Sequence, residues 1–292
     1  MPLVDLSGAF DLHVHSSPEM FPRLGDDLDL ARHAAVSGLG GILLKNHFES
    51  TVGRAHLAQR GITEGSAAKV FGGLVLNHGI GGLNPLAVET SLHLGARQVW
   101  MPTVDAAAHG QAHGRLGGYG YQESNLKAPR PGLTVLDESG RLKAEVETIV
   151  TLIREAGAIL GTAHLDRAEI FALAEFARKI GFSKLLITHP EFNPPRLSLT
   201  DQKILVELGA TLELCGGNLY PIPGLGRLDD FRRIVADAGA EHVILTSDAG
   251  QPRKSWPAEV LRVFAQNLME KGVTQAEIDL MTKVNPARLL GL

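Results

Sequence analysis

Cysteine is almost missing from this chain, with Cys215 the only one. A lone thiol excludes an intrachain disulfide framework and any zinc cluster built from several cysteines. Aromatic residues are scarce at 5%, which leaves little material for the stacking platforms that hold single-stranded nucleic acid. An excess of one charge is missing too. The formal net charge is −4, so the electrostatics give no reason to expect nucleic acid or an anionic membrane as a partner. No apolar run reaches the roughly 18 residues of a membrane span. The stretch from Met1 to Phe10 lacks a basic segment followed by a long apolar one, so no secretory signal is read. A cytoplasmic enzyme acting on a small-molecule substrate is the expectation.

What is present is an ordinary globular composition, 44% hydrophobic and 21% charged over 292 residues. That supplies one sizeable core. Eight strand-like runs begin near Ala9, Gly41, Val70, Arg97, Ala158, Lys184, Thr211 and His242. Each is almost continuously apolar, as expected of strands buried on both faces of a parallel sheet. Helical patterns fill the intervals, most clearly over residues 27–36, 85–94, 144–156, 167–180, 201–208, 228–238 and 258–270, and more weakly over 51–60. Gly38, Gly95, Gly157, Gly181 and Gly209 stand where helices end, a position suited to a residue without a Cβ.

Strand starts recur at about the length of one βα unit, roughly 30 residues. The pattern predicts a single α/β domain over residues 1–292, a (β/α)8 TIM barrel, with an open doubly wound sheet as the competing topology. One interval is longer than the rest. An insertion over about residues 105–141, rich in Gly, His and Tyr, follows the fourth strand and would lie over the mouth of a barrel. It reads either as a cover for substrate or as a passive or oligomer-contact segment. A homo-oligomer is expected.

The densest chemistry lies in Asp11-Leu12-His13-Val14-His15. Side chains alternate along a strand, so His13 and His15 share a face and reach one metal ion together. They close the first strand, where barrel enzymes place active-site groups. His164 ends the fifth strand, His189 the sixth and Asp248 the eighth. Nitrogen and carboxylate donors in such a ring suit zinc first, then manganese or iron, and suit calcium poorly. One or two divalent ions are expected.

The second strand ends in Leu44-Lys45-Asn46-His47. A lysine inside a barrel is costly unless paired or chemically altered. Lys45 is open to three roles: carbamylation by CO2 to bridge two metals, binding of a substrate anion, or pairing with Asp11 or Glu213. His47 is a ligand, a substrate contact or a plain loop histidine. His78 follows the third strand and is a candidate to line the mouth. Arg23 is a candidate carboxylate or phosphate clamp, set against a solvated loop arginine. His109 and His113 belong to the insertion, as gate or as surface.

These residues resemble the metal signature of the amidohydrolase superfamily, which includes phosphotriesterase-like and TatD-like enzymes. The resemblance runs from Asp11 to the closing NPARLLGL. DLHVHSSPE, LLKNHFEST and GGLNP look like a branch whose substrate is open. It implies that His13, His15 and Asp248 bind one metal and His164 and His189 a second, with Asp248 moving the proton of the attacking water. The implied activity is metal-dependent hydrolysis of a small amide, lactone or ester, with phosphoesters next. A decarboxylase or deaminase on the same barrel, or a non-catalytic metal-binding barrel, is the alternative. One departure stands out: the superfamily's bridging Lys or Glu is missing from the fourth strand, Val99-Trp100-Met101-Pro102-Thr103-Val104; Lys45 is the substitute, and a mononuclear centre with His189 as a substrate contact is the alternative.

Overall fold

The computed structural model describes residues 2–62, 66–119, 122–219 and 228–292. Eight parallel strands follow one another round a barrel: β1 (Phe10–His15), β2 (Gly41–Lys45), β3 (Lys69–Val75), β4 (Gln98–Trp100), β5 (Ile159–Gly161), β6 (Leu185–Thr188), β7 (Thr211–Cys215) and β8 (Val243–Thr246). Just beyond the end of β8, a parallel bridge from Val14 to Ala249 brings the last strand back against β1. The competing open sheet is thereby excluded.

A helix follows every strand: α1 (Asp27–Val36), α2 (Val52–Arg60), α3 (Pro85–His93), α4 (Ala107–His113) with α5 (Ala144–Glu155), α6 (Arg167–Lys179), α7 (Leu199–Glu207), α8 (Leu228–Ala238) and α9 (Pro257–Glu270). Their apolar stripes face the strands. In α5 the buried positions are Val146, Ile149, Val150 and Ile153, the three-and-four spacing of one helical face. Leu12 and Val14 of β1 are fully buried beneath this helical layer. The five glycines assigned to helix ends all take positive φ.

Three local devices shape the mouth. The first is a register shift in the pairing of β1 with β2, between Asp11 and Val14, which gives β1 one extra residue at Leu12-His13. The second is the buried Asp11 carboxylate, which accepts N–H groups from Ser247 at 3.0 Å and His13 at 3.3 Å. It bolts β1 to β8 and so sets His13 beside Asp248. The third is the chain after β8. His15 N–H donates to Ala249 C=O at 2.8 Å and Leu24 N–H to Gly250 C=O at 2.7 Å.

The insertion differs from a bare loop. It contains α4, which the sequence pattern did not suggest because Gly110 and the polar run around it mask any apolar stripe. A two-strand hairpin, Gly118–Tyr119 against Gln122–Glu123, follows it; residues 120 and 121 lie outside the described residues. The segment is tied down across several βα loops. Arg130 pairs with Asp105 at 2.9 Å, Glu169 of α6 accepts from Thr134 and Val135, and His113 Nε2 meets Asn193 C=O at 3.0 Å.

Candidate metal centre

His13, His15 and Asp248 meet at the C-terminal mouth. Asp248 Oδ1 lies 3.1 Å from His13 Nε2 and 3.2 Å from His15 Nε2. His13 Nδ1 lies 3.0 Å from Glu213 Oε1 on β7. A carboxylate only accepts, so His13 carries its proton on Nδ1 and turns a bare Nε2 toward Asp248. A nitrogen lone pair facing a carboxylate oxygen at that distance is a cation-shaped arrangement. Lys45 Nζ also sits 3.0 Å from that nitrogen and 5.2 Å from the centre of the Trp100 ring.

His164 and His189 continue the ring. Their ring centres are 5.2 Å apart, and His189 is 6.3 Å from His13. His189 Nδ1 is buried with no hydrogen-bond partner. Backbone strain aims these groups. Ala163, just before His164, and His189 and Asp248 themselves adopt positive φ of 51°, 32° and 46°, a conformation L-residues avoid and functional sites retain. The five expected donors therefore converge on one mouth, as two adjoining groups: His13, His15 and Asp248 in one, His164 and His189 in the other. Divalent metal with nitrogen and oxygen ligands fits this donor set.

The insertion fixes the tautomer of one donor. His109, fully buried on α4, places Nε2 2.8 Å from Gly118 C=O and Nδ1 2.9 Å from His164 Nδ1. The carbonyl takes the Nε2 proton, so His109 Nδ1 accepts from His164 Nδ1–H. His164 Nε2 is left bare. His109→Phe is expected to lower zinc affinity by about ten- to a hundredfold, the usual cost of losing such support. Calorimetric titration of the purified variant checks this.

His15 is held differently. Arg23 Nη2, a pure donor, lies 3.2 Å from His15 Nδ1, whereas Glu19 Oε2 is 3.8 Å away. In this arrangement His15 directs an Nε2–H at Asp248. Ligation by Nε2 requires the other tautomer, with Arg23 displaced and Glu19 taking the Nδ1 proton. Glu19 also accepts from Arg23 Nε and from the His47 N–H at 3.0 Å, joining the first two βα loops.

Arg23 is thus not a solvated loop residue, since its side chain is 2% exposed. His47 stacks on His15 with ring centres 4.9 Å apart. Thr103 Oγ1, which accepts from Asn77, lies 2.8 Å from His47 Nδ1, and His47 Nε2 lies 4.0 Å from Glu19 Oε1. His78 does not join the cluster; its ring bonds the Pro131 carbonyl at 2.8 Å and anchors the insertion instead. Lys45 makes no ion pair within 4.0 Å with Asp11 or Glu213 among the described residues.

Sequence reasoning overlooked two members. Glu213 was visible as the one charge in the buried strand TLELC, but entered only as a lysine partner. Glu19 lies in a loop without periodicity and gave no signal. Cys215, 3.9 Å from His13 Nδ1, is kept a neutral thiol by burial, which pushes its pKa well up.

Burial holds His15, His47 and His164 well below the ordinary imidazole range. It brings His109 and His189 down to about 4 from 6.5. Neutral imidazole is the ligating form. Burial opposes the charge on Asp248, but His13 and His15 beside it hold its carboxyl well below the usual range. In the metal-free protein, the unfolded chain binds protons below pH 6.5 that these folded histidines refuse. Stability is therefore lost as pH falls from about 6.5 toward 4. Asp11, raised by burial to about 6, and Glu169, also raised by burial, act in the opposite direction, two carboxyls against five imidazoles. The melting temperature of the metal-free protein is expected to drop by roughly 5–10 °C between pH 7 and pH 5, as read by calorimetry.

The chain belongs to a family of unknown function (DUF6282), whose profile matches residues 8–213. That span includes both βα loops bearing His15 and His47, the insertion, His164, His189 and Glu213, and stops before Asp248. The chain has no sequence match among the curated proteins. Among solved structures it is similar to the probable dipeptidase PvdM from Pseudomonas aeruginosa, at 14% identity and TM-score 0.65 over 97% of this chain and 94% of that one. It is similar to a PTE-like lactonase of Deinococcus radiodurans at 15% identity and TM-score 0.56, covering 100% and 98%. A 2,6-dihydroxybenzoate decarboxylase matches at 10% identity and TM-score 0.56, covering 97% and 98%. These neighbours are members of the amidohydrolase superfamily, and the fold of this chain is theirs. No described helix is long and apolar enough to cross a membrane.

Proposed function

We propose that this protein is a metal-dependent hydrolase acting on a small amide, lactone or ester, with zinc as the first choice of metal. The observation that carries the reading is the meeting of His13, His15 and Asp248 at the barrel mouth, with Asp248 Oδ1 3.1 Å and 3.2 Å from the two Nε2 atoms and ligand atoms of all three within 4.8 Å of one another. A divalent cation, when bound, supplies Lewis acidity and brings the pKa of a water to about 7. His13, His15 and Asp248 would hold one ion; His164 and His189 are placed for a second.

The remaining chemistry falls to the chain. Asp248, ionised at neutral pH, accepts the proton released during attack and returns it to the leaving group. His47, stacked on His15, is placed to contact a substrate oxygen that gains charge. Burial pushes the Lys45 amine below its ordinary range, which favours the neutral form that adds CO2. A carbamate there would provide the bridging ligand missing from β4.

Decarboxylation is the second reading, favoured by the buried Arg23 at the mouth and by the decarboxylase among the structural neighbours. Deamination loses support, because Glu169 is engaged by Thr134 and Val135 beneath the insertion. The test is metal analysis of the purified protein, then assay on ester, lactone, amide and aryl-carboxylate panels. Metal-dependent hydrolysis supports the proposal. CO2 release without hydrolysis selects the second reading, and stoichiometric metal with no turnover selects a binding protein.

A further inference from the structure

A cation outside the five-donor set faces the same mouth. Lys254 follows β8 in the loop that leads to α9. Its Nζ lies over Gly217 at the end of β7, so close that a Cβ added there would come within 2.8 Å of it. Its charge interacts with those of Asp248 and Arg23. It forms no ion pair and no side-chain hydrogen bond among the described residues, although it is half-buried and burial lowers its pKa. Partial burial of an ammonium favours an anionic partner. Lys45 has carboxylate charges of Asp248 and Glu213 around it, and Arg23 has Glu19. Lys254 has the charge of Asp248 beside it but no hydrogen-bond partner among the described residues.

Arg23 is partly committed, through Nε to Glu19 and Nη2 to His15, so the uncommitted donor is the single point charge of Lys254. That matches a monoanion better than a doubly charged phosphate.

We propose that Lys254 is a substrate-binding residue, and that the natural substrate carries a carboxylate beside the bond that reacts. This rests on the metal-dependent reading above and narrows it to carboxylate-bearing amides, lactones or esters.

Hydroxamates that chelate the metal provide the test. Malonic, succinic and glutaric monohydroxamic acids are compared with uncharged alkyl hydroxamates of equal length, by calorimetry on the zinc-loaded protein. At the best chain length the carboxylate probe is expected to bind about tenfold tighter, the effect of one charge-assisted hydrogen bond. Lys254→Met is expected to erase that preference, while zinc content and affinity for the alkyl hydroxamate stay unchanged. Equal affinity for both probes at every length overturns the proposal, as does a preference that survives in Lys254→Met. Tighter binding of the phosphonate analogue than of the carboxylate overturns the class named. Failure of zinc or of every hydroxamate to bind is a different result, and overturns the metal reading on which the proposal rests.

Discussion

His13→Ala is expected to lower bound metal from stoichiometric to near zero and to leave hydrolysis at the rate of the metal-free protein. His13 is central for a geometric reason. Its Nδ1 is fixed by Glu213 at 3.0 Å, and its Nε2 faces both Asp248 and Lys45. Among the described residues, no other imidazole hydrogen-bonds a fully buried carboxylate. Removing the ring also leaves the fully buried Glu213 carboxylate with Thr246 Oγ1, at 3.1 Å, as its remaining donor, so some stability is lost as well. Glu213→Gln separates the two effects. An amide still accepts from Nδ1–H through its oxygen, and metal affinity is expected to fall only about ten- to a hundredfold. Metal analysis of both variants by mass spectrometry, with circular dichroism to verify folding, distinguishes loss of a ligand from loss of the fold.

Gly250→Ala is expected to be the most damaging single methyl among the described glycines, costing more than about 4 kcal/mol or preventing folding outright. Gly250 has φ of +130°, and a Cβ there would stand 1.8 Å from the carbonyl oxygen of His15. That carbonyl belongs to β1, against which the chain after β8 closes the barrel. The methyl would push apart the strand ends that carry His15 and Asp248, so any protein that folds should bind metal poorly. Gly38→Ala is the comparison. It too has positive φ, at +74°, but nothing lies within 4 Å of its Cβ. The expected cost is the left-handed penalty alone, roughly 1–2 kcal/mol. Urea unfolding midpoints check the difference.

The contrast between what the sequence revealed and what it hid follows the range of the interactions. The barrel was legible because eight apolar runs and their intervening helices repeat a local pattern. The positions of His13, His15, His164, His189 and Asp248 were legible because each terminates such a run. Strand-end position fixes height in a barrel without any knowledge of neighbours. The role of Arg23 was hidden because its partner, Glu19, lies in the same irregular loop, and burial there depends on how β1 and β2 loops dock. His78 and His109 both looked like loop or insertion histidines. Only the folded insertion shows that one anchors it through Pro131 C=O and the other bonds His164. Lys254 stood after the last expected donor, in a stretch with no periodicity, and only its place over Gly217 brings it to the mouth.

The central claim is that His13, His15 and Asp248 bind one cation together. A crystal structure of the zinc-loaded protein, with anomalous data collected at the zinc edge, tests it most directly. The account predicts an anomalous peak in direct coordination to His13 Nε2, His15 Nε2 and Asp248, with Arg23 moved off His15 Nδ1. A zinc-loaded crystal with no peak at the mouth, or with one bound by other residues while His15 keeps its Arg23 contact, would contradict it.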